Sequence, residues 1–365
     1  MAAGKIGGRL DRVLPKMFPQ EEITTHLERC LKAVRHEETD RVPVVPIGIS
    51  HAISLAGARF CDYNQDPHLL AEVQAGAWRR YGYDGLHITS DNWILPQALG
   101  VPVQFYADLP PTGLERPLAH KRDLSLLPPL EKARTAARMG LLPEATRHAR
   151  QLLGDACLIK TNFDQGPFSL ATAVRGIEQL MMDMTDDEQF VFDLLEFATA
   201  LVVHLGLSVG RAGAHAVTFG DSVAGLISRE DFIKFAWPFE KQVVESLHAE
   251  LDAPVFLHVC GQTTHIVDYM AATGADALEL DYQNDFAEMK RRVGALVCLE
   301  GNLDPTRVLL RGTPEVVYEQ SKGLIAAAGS GGGFILSSGC EVPRDTPPEN
   351  LDAMLRAALD CGGGS

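Results

Sequence analysis

The sequence predicts an α/β fold, a single (β/α)8 TIM barrel with an N-terminal helical extension. Three observations predict it. Eight short apolar runs, each bounded by polar residues or glycine, recur along the 365 residues, as strands of a parallel sheet covered on both faces do. Helical patterns lie between them, and strand–helix alternation is the order of a barrel. The glycine fingerprint of the competitor, an open doubly wound dinucleotide-binding sheet, is missing: "GSGGGF" (329–334) leads into a strand, not a helix.

The runs are "VPVVPIGIS" (42–50), "GLHITSDN" (85–92), "CLIKTNFDQG" (157–166), "AVTFGDSV" (216–223), "PVFLHVCG" (254–261), "ALELDY" (277–282), "LVCLEGNLD" (296–304) and "GFILSSGCE" (333–341). Between them, 66–82 reads as a helix because Asp66 can cap it, Pro67 suits its first turn and Gly82 its exit. Residues 186–213 form a long pattern that is apolar on one side, and 228–250 opens on Ser228 and Asp231, spaced as in a capping box. A single helix is expected over 264–274, and Thr-Pro pairs start helices at 313 and 346. The predicted domain organisation is a mobile tail over 1–18, one barrel domain over 19–360 and a second tail over 361–365.

Hydrophobic residues make up 46% of the chain and charged ones 22%, enough apolar material for a sizeable core. Net charge is −15, which argues against nucleic acid or an anionic membrane surface as the main partner. No stretch of 18 apolar residues and no secretory signal is seen, and the seven cysteines are irregularly spaced. Free thiols in a reducing cytoplasm are therefore expected.

Function in such a barrel sits at the carboxyl ends of the strands, and polar residues collect there. The second run ends with Asp91, the third with Asn162 and Gln165, the fourth with Asp221 and the sixth with Glu279. Asp and Asn at such places also cap helices. His258 and Cys260 are two apart in the fifth run and so share one face of a strand. Cys340 lies at the same end of the eighth run. Together they offer three soft ligands, a set that suits Zn2+ with one open position, although a His-x-Cys pair in an apolar strand is by itself more often core.

The sequence resembles the uroporphyrinogen decarboxylase superfamily, and within it the corrinoid-dependent methyltransferase branch. The resemblance runs over roughly 20–360. It rests on "DRVPVVP" (40–46), "YGYDGLHITSDN" (81–92), "QGPFSLATAVRG" (165–176), "LHVCG" (257–261), "EGNLDPTRVLLRGTPEVV" (300–317) and "FILSSGCEVPRDTPPENLDAM" (334–354). Decarboxylases carry an "RQAGRY" stretch after the first strand, whose arginines bind the porphyrinogen's carboxylates, and a "GHG" near the last. This chain has "GISHAISLAGARF" (48–60) and "SGC" instead.

The resemblance implies a zinc-dependent methyl transfer between a small substrate, either a methoxylated aromatic or other methyl donor or a thiol acceptor such as coenzyme M, and the cobalamin of a partner corrinoid protein. It implies His258, Cys260 and Cys340 as zinc ligands and Glu279 as a displaceable fourth ligand or a partner of His258. Glu279 and Asp221 are the candidate catalytic carboxylates. Asp91, Asn162, Gln165 and Asp221 are candidates for the substrate cup, and His51 for a further substrate contact. Phe163, Trp93 and Phe168 would suit an aromatic donor or a core equally. The remaining readings are a porphyrinogen decarboxylase and a non-catalytic scaffold for a corrinoid protein. Donor, acceptor, direction and any homo-oligomer stay open.

Overall fold

The computed structural model describes residues 24–362; the predicted tail over 1–18 and residues 363–365 of the one predicted over 361–365 lie outside them. Nine strands follow in chain order: β1 (Gly85–Ile88), β2 (Val103–Gln104), β3 (Thr112–Gly113), β4 (Leu158–Gln165), β5 (Ala216–Gly220), β6 (Val255–Val259), β7 (Ala277–Leu280), β8 (Cys298–Leu303) and β9 (Phe334–Ser338). Seven of them form one parallel sheet in the order β1-β4-β5-β6-β7-β8-β9, and β2 and β3 make a separate antiparallel hairpin. The sheet is curled and TIM-barrel-like.

The first predicted strand is the main departure. It is reduced to a parallel bridge of Val44 with Leu336. Its backbone still reaches both sheet edges: Val45 N donates to Leu336 O of β9, and Asp84 N beside β1 donates to Val44 O. Pro43 and Pro46 flank this segment and supply no N–H, which limits the ladder it can form. The chain then turns at once into the helix Ile49–Ala56, where a strand end was expected.

Local capping chemistry sets the other elements. Asp66 accepts the backbone N–H of His68 and Leu69, and the helix Pro67–Tyr81 ends on Gly82 at φ 73°, a cap of about 1 kcal/mol. Ser228 accepts from Asp231 N as its spacing predicts, but the 228–250 helix is broken by a π turn at Phe232–Ala236 before Trp237–His248 resumes it. The expected 264–274 helix shortens to Val267–Ala271. The last helix starts at Pro348 and runs to Gly362, so Cys361 and Gly362 are helical rather than tail. Helix Glu188–Arg211 is long and apolar enough by composition to cross a membrane; Val191, Leu194, Leu201 and Leu205 on it are fully buried in the core.

Side chains that alternate along the strands fill the sheet's concave interior in layers. At the amino end, Leu158, Ala216, Phe256, Ala277, Cys298 and Ile335 form an apolar floor, sealed from below by Cys30, Ala33 and Val34 of the helix His26–Val34. The N-terminal extension is thus a plug. Two residues further along the same strands stand Lys160, Thr218, His258, Glu279, Glu300 and Ser337, all buried. A further two along come Asn162 and Cys260 at the mouth. Apolar floor, charged middle and polar mouth follow one another because each step of two residues keeps the same face.

Candidate functional site

His258 and Cys260 leave β6 on one face, and Cys340 follows β9, so the curl of the sheet brings them together. Their ligand atoms lie within 4.8 Å of one another. The two sulfurs are 3.9 Å apart; two Zn–S bonds of about 2.3 Å at a tetrahedral angle place sulfurs roughly 3.8 Å apart. His258 Nε2 is 2.9 Å from Cys260 Sγ, a hydrogen bond that would have to lengthen around a cation. The donor set and its spacing fit zinc. Ser222 Oγ also donates to Cys260 Sγ at 3.2 Å.

His258 Nδ1, the nitrogen turned away from the sulfurs, is 3.4 Å from Glu279 Oε2. Burial opposes an imidazolium, but contact with Cys340 and Glu279 raises the His258 pKa to about 10. The contact with Cys340, helped by Ser222, lowers Cys260 below the ordinary thiol value, and the same contact together with burial raises Cys340. Without metal, one thiol thus already leans toward thiolate, the form that binds cations.

These residues line a cavity of about 230 Å3 together with Ile47, Ile49, His87, Asn92, Asn162, Asp164, Gln165, Ser169, Gly220, Ser222, Val223, Glu279 and Glu341. Gly220 separates the two sides: the register places Gln165, Gly220 and His258 in one row across β4, β5 and β6. With no side chain at the middle position, a gap stays open between the β4 groups and the candidate metal ligands.

The sequence candidates divide. Glu279, Asn162 and Gln165 line the cavity beside the three candidate metal ligands. Asp221 does not. It is fully buried, its two oxygens accept the N–H groups of Phe168 and Ser169 at 3.0 and 2.6 Å, and it caps the helix Pro167–Arg175. Burial pushes its pKa up to about 6. Asp91 is held by Arg138 and by Trp93 N–H. His51 bonds Tyr81 Oη at 2.6 Å and lines a separate small pocket; burial lowers its pKa to about 4, so it is neutral. Phe163 and Phe168 are core, fully buried. Helix capping, the alternative for Asp and Asn at strand ends, accounts for Asp221, whereas Asp91 is held by an ion pair that the sequence did not suggest.

Sequence reasoning missed Lys160, His87 and Ser222. Asp164 was legible as a polar residue at the end of the third run. It adopts φ 83°, and burial pushes its carboxyl well above the usual range. Lys160 gave no signal, because nothing local shows that a lysine inside an apolar run has two partners on distant strands.

The uroporphyrinogen decarboxylase (URO-D) family pattern matches residues 25–360. The chain belongs to the URO-D family. Relatives in it include proteins named uroporphyrinogen decarboxylase from Erwinia tasmaniensis, 28% identical over 90% of this chain and 95% of that protein, and from Sodalis glossinidius, 31% identical over 82% and 84%. Among solved structures, a methyltransferase from Methanosarcina mazei superposes with TM-score 0.85 at 21% identity, covering 93% of this chain and 99% of that one. A B12-independent methionine synthase from Shewanella sp. W3-18-1 superposes with TM-score 0.56 at 9% identity over 88% and 96%. Both likenesses are of fold. Members of the URO-D family are enzymes.

Proposed function

We propose that this URO-D family member is a zinc-dependent methyltransferase that moves a methyl group between a small substrate and the cobalamin of a partner corrinoid protein. The observation that carries it is the convergence of His258, Cys260 and Cys340 in one cavity. A zinc ion bound there would supply Lewis acidity, or hold a substrate thiol as thiolate.

This chain's own residues do the rest. Glu279 fixes the His258 ring through Nδ1 and leaves Nε2 toward the sulfurs. Ser222 stabilises negative charge on Cys260. Asn92, Asn162 and Gln165 give the cavity wall neutral hydrogen-bonding groups that orient a substrate, and a bound molecule held in line loses less entropy on reaction. Gln165 itself is steadied by donating to Asn92 O at 2.7 Å.

The second reading, decarboxylation of a porphyrinogen, is favoured by the names of the relatives at 28–31% identity. The cavity speaks against it. No arginine or lysine is among its lining residues, and it contributes Glu279, Glu341 and Asp164 instead. Arg59, the arginine of the segment 48–60, is largely exposed and paired with Asp62. Among the described residues that line the cavity, a polycarboxylate would meet no arginine or lysine. The volume is also below the roughly 300–1,000 Å3 of a pocket for drug-sized ligands.

One experiment separates the readings. The purified chain is screened with methylated donors and free cob(I)alamin, following conversion to methylcobalamin by absorbance, with uroporphyrinogen turnover run in parallel. Methyl transfer together with about one zinc per chain supports the proposal. Porphyrinogen turnover without metal dependence overturns it.

A further inference from the structure

A fully buried lysine lies in the charged middle layer, and the proposed chemistry does not use it. Lys160 of β4 has no exposed side-chain surface. Its Nζ donates to Glu279 Oε1 at 2.7 Å and to Glu300 Oε2 at 2.6 Å. Both acceptors come from the far side of the interior. Glu300 is the register partner of Glu279, and Glu279 is the register partner of His258, so the three stand in one row across β6, β7 and β8. The lysine reaches across to that row from β4, with its ammonium 4.5 Å from the Phe256 ring centroid.

A carboxylate on Glu279 has several orientations open to it, and only some present an oxygen to His258. The Lys160 bond to Oε1 selects one of them, in which Oε2 is 3.4 Å from His258 Nδ1. That contact orients the ring so that Nε2 faces Cys260. Without the lysine, the Glu279 carboxylate would be free to turn away from His258, and the ring would lose its fixed orientation.

We propose that Lys160 is a positioning residue of the metal centre, acting through Glu279 to fix His258 as a ligand. The inference rests on reading His258, Cys260 and Cys340 as the zinc site. Glu300 is the second anchor of the lysine and has no contact of its own with His258; its Oε1 is 3.9 Å from His87 Nε2.

The test is zinc affinity, measured by competition with a chromophoric chelator on the full chain, with thermal unfolding recorded alongside. The wild-type chain comes first: if it binds no zinc, the reading of the site fails, whatever Lys160 does. If it binds zinc, Lys160→Met is expected to weaken affinity by about 10–100-fold, the effect of losing an outer partner of a metal-bound histidine. Glu300→Gln, which keeps the lysine and its bond to Glu279, is expected to change affinity by less than about threefold. The double variant Lys160→Met/Glu300→Leu removes one charge of each sign. It is expected to recover thermal stability relative to Lys160→Met, yet stay as weak for zinc. Should Lys160→Met fail to fold, the double variant alone gives the answer. Wild-type zinc affinity in a folded variant without Lys160 would overturn the proposal, as would zinc affinity that recovers in step with stability in the double variant.

Discussion

Two of the buried ionic clusters among the described residues, one at the amino end of the sheet and one in the layer below its mouth, are built differently. At the amino end, Asp84 just before β1 is saturated. It accepts from Arg29 Nη1 at 2.6 Å, Arg41 Nη1 at 2.6 Å and Val44 N at 2.7 Å, and His26 Nδ1 lies 2.9 Å away. In the charged layer below the mouth, Glu300 Oε1 and His87 Nε2 are buried without a hydrogen-bond partner, and His258 Nδ1 has only its 3.4 Å contact with Glu279 Oε2. A buried polar group without a partner costs free energy, so a stabilising cluster closes its bonds, as Asp84 does. The difference marks Asp84 as the clasp that ties the N-terminal plug to the first bridge and to β1. It sets the other cluster apart as one in which the described residues leave polar atoms without a bond.

The sharpest break of that comparison is Cys340→Ser. It should abolish zinc binding and methyl transfer while leaving circular dichroism and the melting transition nearly unchanged, because Cys340 closes no structural bond. Metal content by atomic emission and the cobalamin absorbance assay read the two effects. A variant that lost its fold together with its metal would make the centre structural.

The mirror experiment is Asp84→Ala. It leaves two buried guanidinium groups facing each other's charge and should cost about 3–5 kcal/mol in chemical denaturation, with zinc affinity of the folded fraction unchanged.

Acidification separates the saturated carboxylate from one that is merely buried. Burial alone would raise Asp84, but its bond with His26 and the charges of Arg41 and Arg29 hold it well below the usual carboxylate range. The folded pKa is depressed, so this group's stabilisation is present above about pH 3.9, the unfolded value, and is lost as pH falls through the folded value. Asp221 is the reverse case, raised to about 6 by burial. Its contribution is complete below about pH 3.9 and is lost as pH rises through about 6. Stability–pH curves should therefore flatten below pH 4 in Asp84→Asn and between pH 4 and 6 in Asp221→Asn. Unchanged curves would show that the two carboxyl groups titrate alike folded and unfolded.

The smallest stability effect with a functional consequence is expected at Gly220. A Cβ there would meet its nearest atom, His258 Cδ2, at 3.9 Å, an ordinary contact. Gly220→Ala should thus alter stability by no more than about 1 kcal/mol while narrowing the gap between β4 and β6, seen as a several-fold rise in KM. At Gly166 a Cβ would lie 2.6 Å from the Asp221 carboxylate, so Gly166→Ala should destabilise by disturbing the helix cap. Equal effects at both sites would remove the distinction between open cavity and filled core.

The sequence by itself determined seven strands of the parallel sheet and their order, because strand periodicity is local and needs no partner to be legible. Capping was legible at Asp66 and Ser228 for the same reason: donor and acceptor are two or three residues apart. His258 and Cys260 declared a shared face by their spacing alone. Only the tertiary structure decided what met that face. Curling of the sheet brought Cys340 to the pair, parallel register stacked Glu300, Glu279 and His258 in one row, and Lys160 reached them from a strand more than a hundred residues away. It also withdrew Asp221, Asp91 and His51 from the cavity, by giving each a partner that its neighbours in the chain do not reveal. Long-range side-chain pairing depends on register and curvature, which no local stretch of sequence encodes.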